Sequence, residues 1–122
     1  MLCVAWHPSG TFFATGDYGD FEHDYPPLLQ YWTYDGQIIK SIEESKAEIR
    51  NIKWSDDGVL LATASDKIRL WNKDGDLLSQ QTTKTLLWGL DWNQDANILA
   101  ATDVKGNIIF WDRNLNKINE LE

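Results

Sequence analysis

The apolar positions of this chain fall into short runs that are separated by turn-forming residues. The clearest example is the stretch from Ile49 to Gln81, in which four apolar runs are divided by the segments S-D-D-G, S-D-K and K-D-G. Clusters of Ser, Asp, Asn and Gly are typical of tight turns. The pattern therefore predicts four short strands that hairpins join into one antiparallel sheet.

The same pattern occurs three times along the chain. Two columns of tryptophans mark it, namely Trp6, Trp54 and Trp92, and then Trp32, Trp71 and Trp111. A period near 40 residues with four strands per unit is typical of a β-propeller, in which four-stranded sheets stand radially as blades. We therefore predict an all-β fold, a single domain over residues 1–122, with three four-stranded antiparallel blades at 1–42, 49–81 and 87–121.

The polarity of the strands agrees with radial blades. The second strand of each unit is continuously apolar, around residues 12–14, 60–62 and 98–100, as expected for strands buried on both faces. The fourth strands carry Lys, Ser, Gln, Asn and Glu, which suits an outer edge facing water. We expect the small residues that follow the second-strand core, Gly16, Ala64 and Ala101, to leave room for side chains of the next blade.

Two Asp-Gly turns, Asp35-Gly36 and Asp74-Gly75, separate the third and fourth strands of the first two units. Asp-Gly supplies the positive φ that a two-residue hairpin requires. We therefore predict two-residue hairpins at both positions.

The segments V-A-W-H-P-S-G, L-A-T-A-S-D and I-R-L-W-N resemble the WD-repeat family, and the resemblance covers almost the whole chain. The dipeptide that ends each repeat of that family survives as Trp111-Asp112, as Trp71-Asn72 and as Trp32-Thr33. The resemblance implies a β-propeller that acts as a non-catalytic interaction scaffold. It also implies that peptide and protein partners bind at the rim and at the mouth of the channel.

The chain departs from that family's pattern in its linkers. The Gly-His pair that usually precedes the first strand is missing, because the linkers read E-E-S-K-A-E and T-T-K-T-L. The Asp that usually stands between the second and third strands is Lys105 in the third unit, and the second unit's turn is short. We therefore expect the buried His–Asp network of the family to be absent.

Three blades are fewer than the four to eight that propellers usually contain. An open arc would leave an apolar blade face uncovered at each end, which soluble monomers rarely tolerate. Two copies that close head to tail would form a six-bladed ring with the commonest oligomer symmetry. We therefore expect a homodimer. The alternatives are a fragment of a longer propeller and a larger ring.

The first unit is longer than the others between its second and third strands. Asp17 and Trp32 are 15 residues apart, whereas Asp103 and Trp111 are 8 apart. Long loops on a rigid scaffold often carry function, and aromatic anchors among carboxylates suit a basic peptide with an apolar residue. The candidate partner-binding residues of this loop, residues 17–27, are Asp17, Tyr18, Asp20, Phe21, Glu22, His23, Asp24 and Tyr25. A solvated insertion without a ligand, or a cover over a neighbouring blade or subunit joint, are the alternatives.

The inner strands add a second candidate position at the channel mouth. Arg50 and Trp88 occupy equivalent places at the start of first strands. An Arg and a Trp at that mouth could hold an acidic or aromatic group of a ligand. The alternative, which we favour, is that Trp88 packs between blades and Arg50 pairs with Glu48 or Glu44.

Metal and catalytic sites have little support in the sequence. The loop's carboxylates do not follow the Ca²⁺-loop spacing, and two histidines with one cysteine do not make a zinc set. The chain has no G-x-S-x-G, no phosphate-binding Gly loop and no Cys/His pair with a third partner. We expect no cofactor, no metal and no enzyme activity, with a propeller hydrolase as the least favoured reading.

Charge and composition narrow the choice of partners. The net charge is −8, which disfavours nucleic acid and anionic membranes as partners. The single Cys3 fits a reducing compartment, and the first residues lack the charged and apolar regions of a signal peptide. We expect a cytoplasmic scaffold for a protein or a peptide, with a self-assembling unit that has no specific ligand as the alternative.

Overall fold

The computed structural model describes residues 2–93 and 95–122. Met1 and Gln94, which the sequence places in the first strand and in a turn, lie outside the described residues. The chain forms twelve strands: β1 (Leu2–Trp6), β2 (Phe12–Asp17), β3 (Leu29–Thr33), β4 (Ile38–Ile42), β5 (Asn51–Trp54), β6 (Leu61–Ala64), β7 (Lys67–Trp71), β8 (Leu77–Thr82), β9 (Leu87–Trp92), β10 (Ile98–Asp103), β11 (Ile108–Asp112) and β12 (Lys117–Leu121). One short 3₁₀ helix spans Phe21–His23.

The strands form three four-stranded antiparallel sheets, ordered β1-β2-β3-β4, β5-β6-β7-β8 and β9-β10-β11-β12. The strands β1, β5 and β9 are neighbours across the sheets, so they line the inner edge of an arc and the fourth strands lie outside. This arrangement confirms the predicted all-β class with three propeller-type blades. Within residues 2–93 and 95–122, no helix is long and apolar enough to cross a membrane.

Each blade carries a row of three apolar side chains that stand opposite one another in register on its first three strands. We call these the tryptophan rows, and they are Trp6–Phe13–Trp32, Trp54–Leu61–Trp71 and Trp92–Leu99–Trp111. The second row packs into a core with the first blade, and the third row packs into a core with the second blade. The repeat seen in the sequence is therefore a repeat of packing between blades.

The burial of the second strands depends on the position of the blade. All four residues of β6 are buried, as the unbroken apolar run predicts for a blade with two neighbours. In β10 burial alternates, and Ile98 and Thr102 are exposed. In the first blade Phe13 is only half-buried. The end blades therefore keep one face open.

The hairpins between third and fourth strands contain three residues, so the prediction of two-residue turns was wrong. In the first blade the N–H of Gly36 donates to Thr33 O (3.0 Å), and the N–H of Thr33 donates to Gln37 O (2.8 Å). A three-residue loop needs a left-handed residue at its end, and Gly36 supplies it with φ 92°. In the third blade Leu115 takes this conformation with φ 60° while fully buried.

A buried ion pair ties the linker between the first two blades to the second blade. The Arg69 side chain is 2% exposed, donates to Asp66 (2.9 Å) and also reaches Ser45 Oγ (3.3 Å). The N–H of Lys46 donates to the same Asp66 carboxylate (3.2 Å). Ser45 and Lys46 stand in the linker where the resemblance would place a Gly-His pair. Among the described residues, neither histidine lies in a linker. Instead, the cluster of Arg69, Asp66 and Ser45 holds the linker between the first two blades in place.

Burial and hydrogen bonding act on Asp66 in opposite directions. Desolvation by burial would raise the pKa of Asp66, but the bonds from Arg69 and the Lys46 N–H outweigh it and lower the pKa below its usual value. Because the pKa is lower in the folded state, the carboxylate stabilises the fold above the unfolded-state pKa of about 4. This contribution is lost as the pH falls through the lowered pKa.

Gly16 allows close approach of the first two blades, as the sequence suggested. A Cβ built at this position would overlap Cγ2 of Ile49, which is 1% exposed, and would lie 3.0 Å from Sγ of Cys3. Its φ is outside the left-handed region, so the constraint is steric.

We predict that Gly16→Ala lowers the free energy of unfolding by about 1–3 kcal/mol, because it overpacks the first joint. Urea unfolding at one fixed protein concentration measures it. Ile49→Ala removes the clashing atom, so Gly16→Ala should cost less in that background. Equal costs in both backgrounds would contradict the steric explanation.

We predict that Asp66→Asn lowers the free energy of unfolding at pH 7 by about 2–3 kcal/mol. Breaking a fully buried pair costs about 3–5 kcal/mol, and the side chain of Asp66 is still 19% exposed. The variant should also lose part of the decline in stability that the wild type shows below about pH 4. Asp56→Asn, in an exposed turn, is the control. An unchanged pH profile in Asp66→Asn would show that the ion pair does not stabilise the fold.

Candidate functional site

The linkers between blades and the turns between second and third strands lie on one rim. The N–H of Ile49, at the end of the first linker, donates to Asp17 O (3.0 Å), and the N–H of Leu87 donates to Ser65 O (3.3 Å). We call this the loop rim. The long loop of the first blade, both candidate residues of the inner strands and the acidic linker all belong to it.

The long loop is held closed at its base by Asp17. Its Oδ1 accepts hydrogen bonds from the N–H groups of Gly19 (3.0 Å) and Leu28 (2.9 Å), and its own N–H donates to Leu28 O (3.2 Å). Further along, Asp20 and Tyr25 pair like residues of a small antiparallel bridge, with N–O distances of 2.7 and 2.9 Å. The loop therefore has an internal structure that no sequence pattern predicted.

Gly19 is required at the base of this loop. Its φ is +66°, and a Cβ there would lie 2.6 Å from Tyr25 O and 2.7 Å from Pro27 N. A side chain would thus combine backbone strain with overlap of backbone atoms. The turn at Gly19 brings the two arms of the loop together and positions Tyr18 and Tyr25.

A cleft of about 480 Å³ lies between this loop and the end of β4. Four of the predicted residues line it, namely Asp17, Tyr18, Asp20 and Tyr25. Sequence reasoning missed its other lining residues, which are Gly19, Pro26, Leu28 and Glu43. The signal for Glu43 was available, because it begins the acidic linker that the propeller pattern places on the same rim. The cleft lies over the outer strands of the first blade, away from the inner edge of the arc.

The other predicted loop residues form the tip above the cleft. Phe21, Glu22 and His23 form the 3₁₀ turn, and Asp24 follows it in a left-handed conformation (φ 60°). All four are exposed, and Phe21 exposes 58% of its surface. Phe21 therefore does not cover a neighbouring blade within this chain.

Three possible metal ligands lie close together at this tip. Ligand atoms of Asp20, Glu22 and His23 lie within 4.8 Å of one another. However, all three side chains are exposed, and Nδ1 of His23 already bonds Oδ2 of Asp20 at 2.7 Å. Exposed acidic groups often lie this close without an ion, and we assign no metal to them.

The loop rim of the first blade is strongly acidic. Its loop and linker carry the carboxylates of Asp17, Asp20, Glu22, Asp24, Glu43, Glu44 and Glu48. The nearby cations are Lys46 and Arg50, and Arg50 already pairs with Glu48 (2.7 Å). Several like charges on one side of a small domain create a field that attracts cationic ligands, the more so at low ionic strength.

Arg50 and Trp88 lie together on the loop rim but not in the cleft. The Arg50 guanidinium carbon is 4.5 Å from the centre of the Trp88 ring. The predicted pairing of Arg50 with Glu48 is present. Trp88 contacts Arg50 of the neighbouring blade, but 57% of its surface is exposed, so it is not buried between blades. The stacked pair is worth about 0.5–1 kcal/mol at an exposed site and presents an open aromatic face.

Comparison with known proteins agrees with this architecture. The family model described as "WD domain, G-beta repeat" matches residues 1–21 and 36–72. No curated protein matches the sequence. The crystal structure of the C-terminal WD40 domain of Sif2 is similar with a TM-score of 0.78 and 22% sequence identity, covering 98% of this chain and 36% of that chain. The chain thus spans about a third of that structure, and at this identity the likeness concerns the fold alone.

The third blade lies outside the segments that the family model matches, but it repeats the tryptophan row and the strand order of the other two. Its inclusion therefore rests on structure and on the internal repeat. The internal repeats, the three-sheet architecture and the family model over residues 1–21 and 36–72 support the WD-repeat β-propeller family for this chain.

Proposed function

We propose that the chain is an interaction scaffold whose loop rim binds a cationic peptide that carries an apolar residue. Proteins of this family are generally non-catalytic and mediate interactions between proteins. The observation that carries the proposal is the cleft beside the long loop, where Tyr18 and Tyr25 stand among the carboxylates of Asp20 and Glu43.

The chemistry of the cleft favours a ligand with both charge and apolar surface. Tyrosine rings bury large areas at little cost in conformational entropy and are frequent anchors at interfaces. The surrounding carboxylates would steer and orient Lys or Arg side chains of the partner. Because Tyr25 is 65% exposed and Phe21 is 58% exposed, both rings are available to such a partner.

The stacked pair Arg50–Trp88 is a second contact point on the same rim. Its exposed indole face extends a bound peptide's contact toward the channel mouth, while Glu48 pairs with the Arg50 guanidinium (2.7 Å). We place this pair at the edge of the binding surface and the long loop at its centre.

A second function follows from the uncovered faces of the end blades: the chain assembles with itself to complete a propeller. Trp6 is 55% exposed and Val4 is 62% exposed on the first blade, whereas the equivalent Trp54 and Ile52 are 8% and 2% exposed. Two copies joined head to tail would cover both end faces and form six blades. Further blades of a longer chain would cover the same faces, and the solution mass distinguishes the two.

We predict that a labelled nine-residue peptide with Lys and Arg flanking a central Phe binds the chain, and that its Glu-substituted counterpart does not. The triple variant Asp20→Asn/Glu22→Gln/Asp24→Asn should weaken binding roughly tenfold, since exposed charge pairs contribute about 0.2–1 kcal/mol each. Fluorescence anisotropy at 50 and 200 mM salt measures both effects.

The control neutralises three exposed carboxylates on the opposite rim, in Asp35→Asn/Asp56→Asn/Asp74→Asn. It changes the net charge by the same amount, so retained binding would locate the site on the loop rim. If both triple variants weaken peptide binding equally, binding depends only on the net charge of the chain, and the cleft is not the binding site. Tyr18→Ala/Tyr25→Ala should weaken binding at both salt concentrations, because its contribution is apolar.

We predict that the chain in solution has twice its mass of 14.1 kDa at micromolar concentrations. The uncovered apolar faces favour association, and two copies suffice to cover them. Sedimentation equilibrium over a hundredfold range of concentration measures the mass. A monomer throughout that range would reject self-completion of the ring and leave the peptide-binding proposal standing.

A further inference from the structure

Both joints between blades contain the same hydrogen bond from an indole. Nε1 of Trp54 donates to the backbone carbonyl of Ala5 at 3.2 Å, and Nε1 of Trp92 donates to that of Lys53 at 3.1 Å. In each case the acceptor is the residue directly before the first-strand tryptophan of the preceding blade. The same hydrogen bond therefore occurs at equivalent positions in both joints, and we call it the indole lock.

The two ends of the chain carry the two unmatched halves of a third lock. Trp6 is the equivalent donor on the first blade, and no blade covers it among the described residues. Asp91 precedes Trp92, so its carbonyl is the equivalent acceptor on the third blade, whose outer face is likewise uncovered among the described residues. Trp6 is 55% exposed, against 8% for Trp54 and 9% for Trp92.

The aromatic row around Trp6 is already in the arrangement that the inner joints use. The ring centres of Trp6 and Phe13 are 5.0 Å apart, and the rings of Phe13 and Trp32 stack with an interplanar angle of 6°. Nε1 of Trp32 donates to Thr15 Oγ1 (2.9 Å), just as Nε1 of Trp71 donates to Thr63 Oγ1 (3.0 Å). The uncovered face is thus pre-organised, which lowers the entropic cost of binding.

The opposite end face carries equivalents of the residues that receive a tryptophan. At the first joint Trp54 packs against His7, Phe12 and Tyr31, with ring centres 4.7, 5.6 and 5.8 Å apart. In register, the corresponding positions on the third blade are Asn93, Ile98 and Phe110. Ile98 is 36% exposed and Phe110 is half-buried, so an apolar surface is available there.

A depression of about 170 Å³ lies on the same face of the third blade. Its lining includes Gly89, Asp91, Ala100, Thr102 and Ile108. Three of these correspond in register to Cys3, Ala14 and Leu29 on the first blade, which share a core with Ile52 of the next blade. Thr102 stands where the first blade has Gly16, and its Oγ1 accepts the N–H of Gly89 (3.0 Å), so the close approach at Ile49 is not repeated here. The third blade therefore offers an open surface for the part of a first strand that carries Val4 and Trp6.

We infer that the first blade of a second copy docks on the third blade, with the indole N–H of Trp6 donating to the carbonyl of Asp91. The inference rests on the proposed completion of the ring by a second copy. One copy offers one donor face and one acceptor face, so two copies cover all four faces through two joints related by a twofold axis. Further blades of a longer chain would also match both faces, and a wild type that stays a monomer in solution would favour them.

Sedimentation equilibrium of variants tests the lock. Trp6→Lys should weaken dimerisation at least about 30-fold for each joint, since buried aromatic anchors typically contribute about 2 kcal/mol or more. Trp6→Phe keeps a ring but removes the donor, and it should weaken each joint about fivefold, the value of one hydrogen bond. Leu78→Lys is the control, because Leu78 is 52% exposed on the outer strand of the middle blade.

Complementation separates a lost joint from a lost fold. Ala100→Lys places a charge on the acceptor face, at a position whose equivalents Ala14 and Ala62 are fully buried. Each variant alone has one disabled face and should be monomeric, with the circular dichroism of the wild type. A mixture of Trp6→Lys and Ala100→Lys retains one intact pair of faces, so the two chains should form a heterodimer through a single joint.

The outcomes distinguish this inference from the proposed completion of the ring. If the wild type dimerises but Trp6→Lys and Ala100→Lys dimerise equally well, the ring or another interface forms without this lock and the inference is wrong. If the wild type is a monomer, both the completion and the lock are rejected. A heterodimer of the two disabled variants, neither of which associates alone, supports the lock.

Discussion

The packing of one blade's tryptophan row against the next blade is the interaction on which the rest of the structure depends. A four-stranded sheet of this size cannot bury its own two faces, and a tryptophan removes about 150–250 Å² from water when it is buried. At about 25 cal/mol per Å², each buried tryptophan contributes roughly 4–6 kcal/mol as an upper estimate. The inner rows contain two tryptophans each, so a blade derives most of its stability from its neighbours.

Polar contacts at the joints also hold the linkers between blades in place. The linker before the second blade is fixed by Arg69, Asp66 and Ser45. On the opposite rim, His7 stacks on Phe12 at 4.4 Å and reaches the Gly58 carbonyl at 2.9 Å, so one imidazole ties the first blade to the second. These contacts differ from joint to joint, whereas the rows and the indole lock repeat. The packing of the tryptophan rows therefore determines the arrangement of the blades, whereas the polar contacts differ with the sequence of each linker.

The sequence predicted what depends on period and missed what depends on local geometry. The two tryptophan columns, the four-strand units and the close approach at Gly16 are all visible as spacing, because every blade repeats the same packing. The three-residue hairpins were missed because Asp-Gly fits two- and three-residue turns alike. The register placed Arg50 and Trp88 at equivalent positions, but the stacking of the Arg50 guanidinium on the Trp88 ring could not be predicted, because no repeat encodes that contact. The sequence predicted half of the residues that line the cleft, namely the aromatic and acidic residues of the loop. Glu43 and Leu28 come next to them only through the pairing of the strands, so the sequence did not indicate them.

The cleft at the long loop and the joints between blades lie apart in the structure, which explains why the fold accommodates the long loop. Oδ1 of Asp17 accepts hydrogen bonds from the N–H groups of Gly19 and Leu28, which closes the insertion at its base. The extra residues therefore do not disturb the tryptophan row of the first blade. Lengthening a surface loop costs only about 0.6 kcal/mol for each doubling, which is small against the burial at one joint. The linker contact at Ile49 is made by the Asp17 backbone, so it requires no particular residue beyond that point. The sequence of the loop can therefore change without disturbing the joints, whereas Trp54 and Trp92 are constrained by the joints in which they are buried.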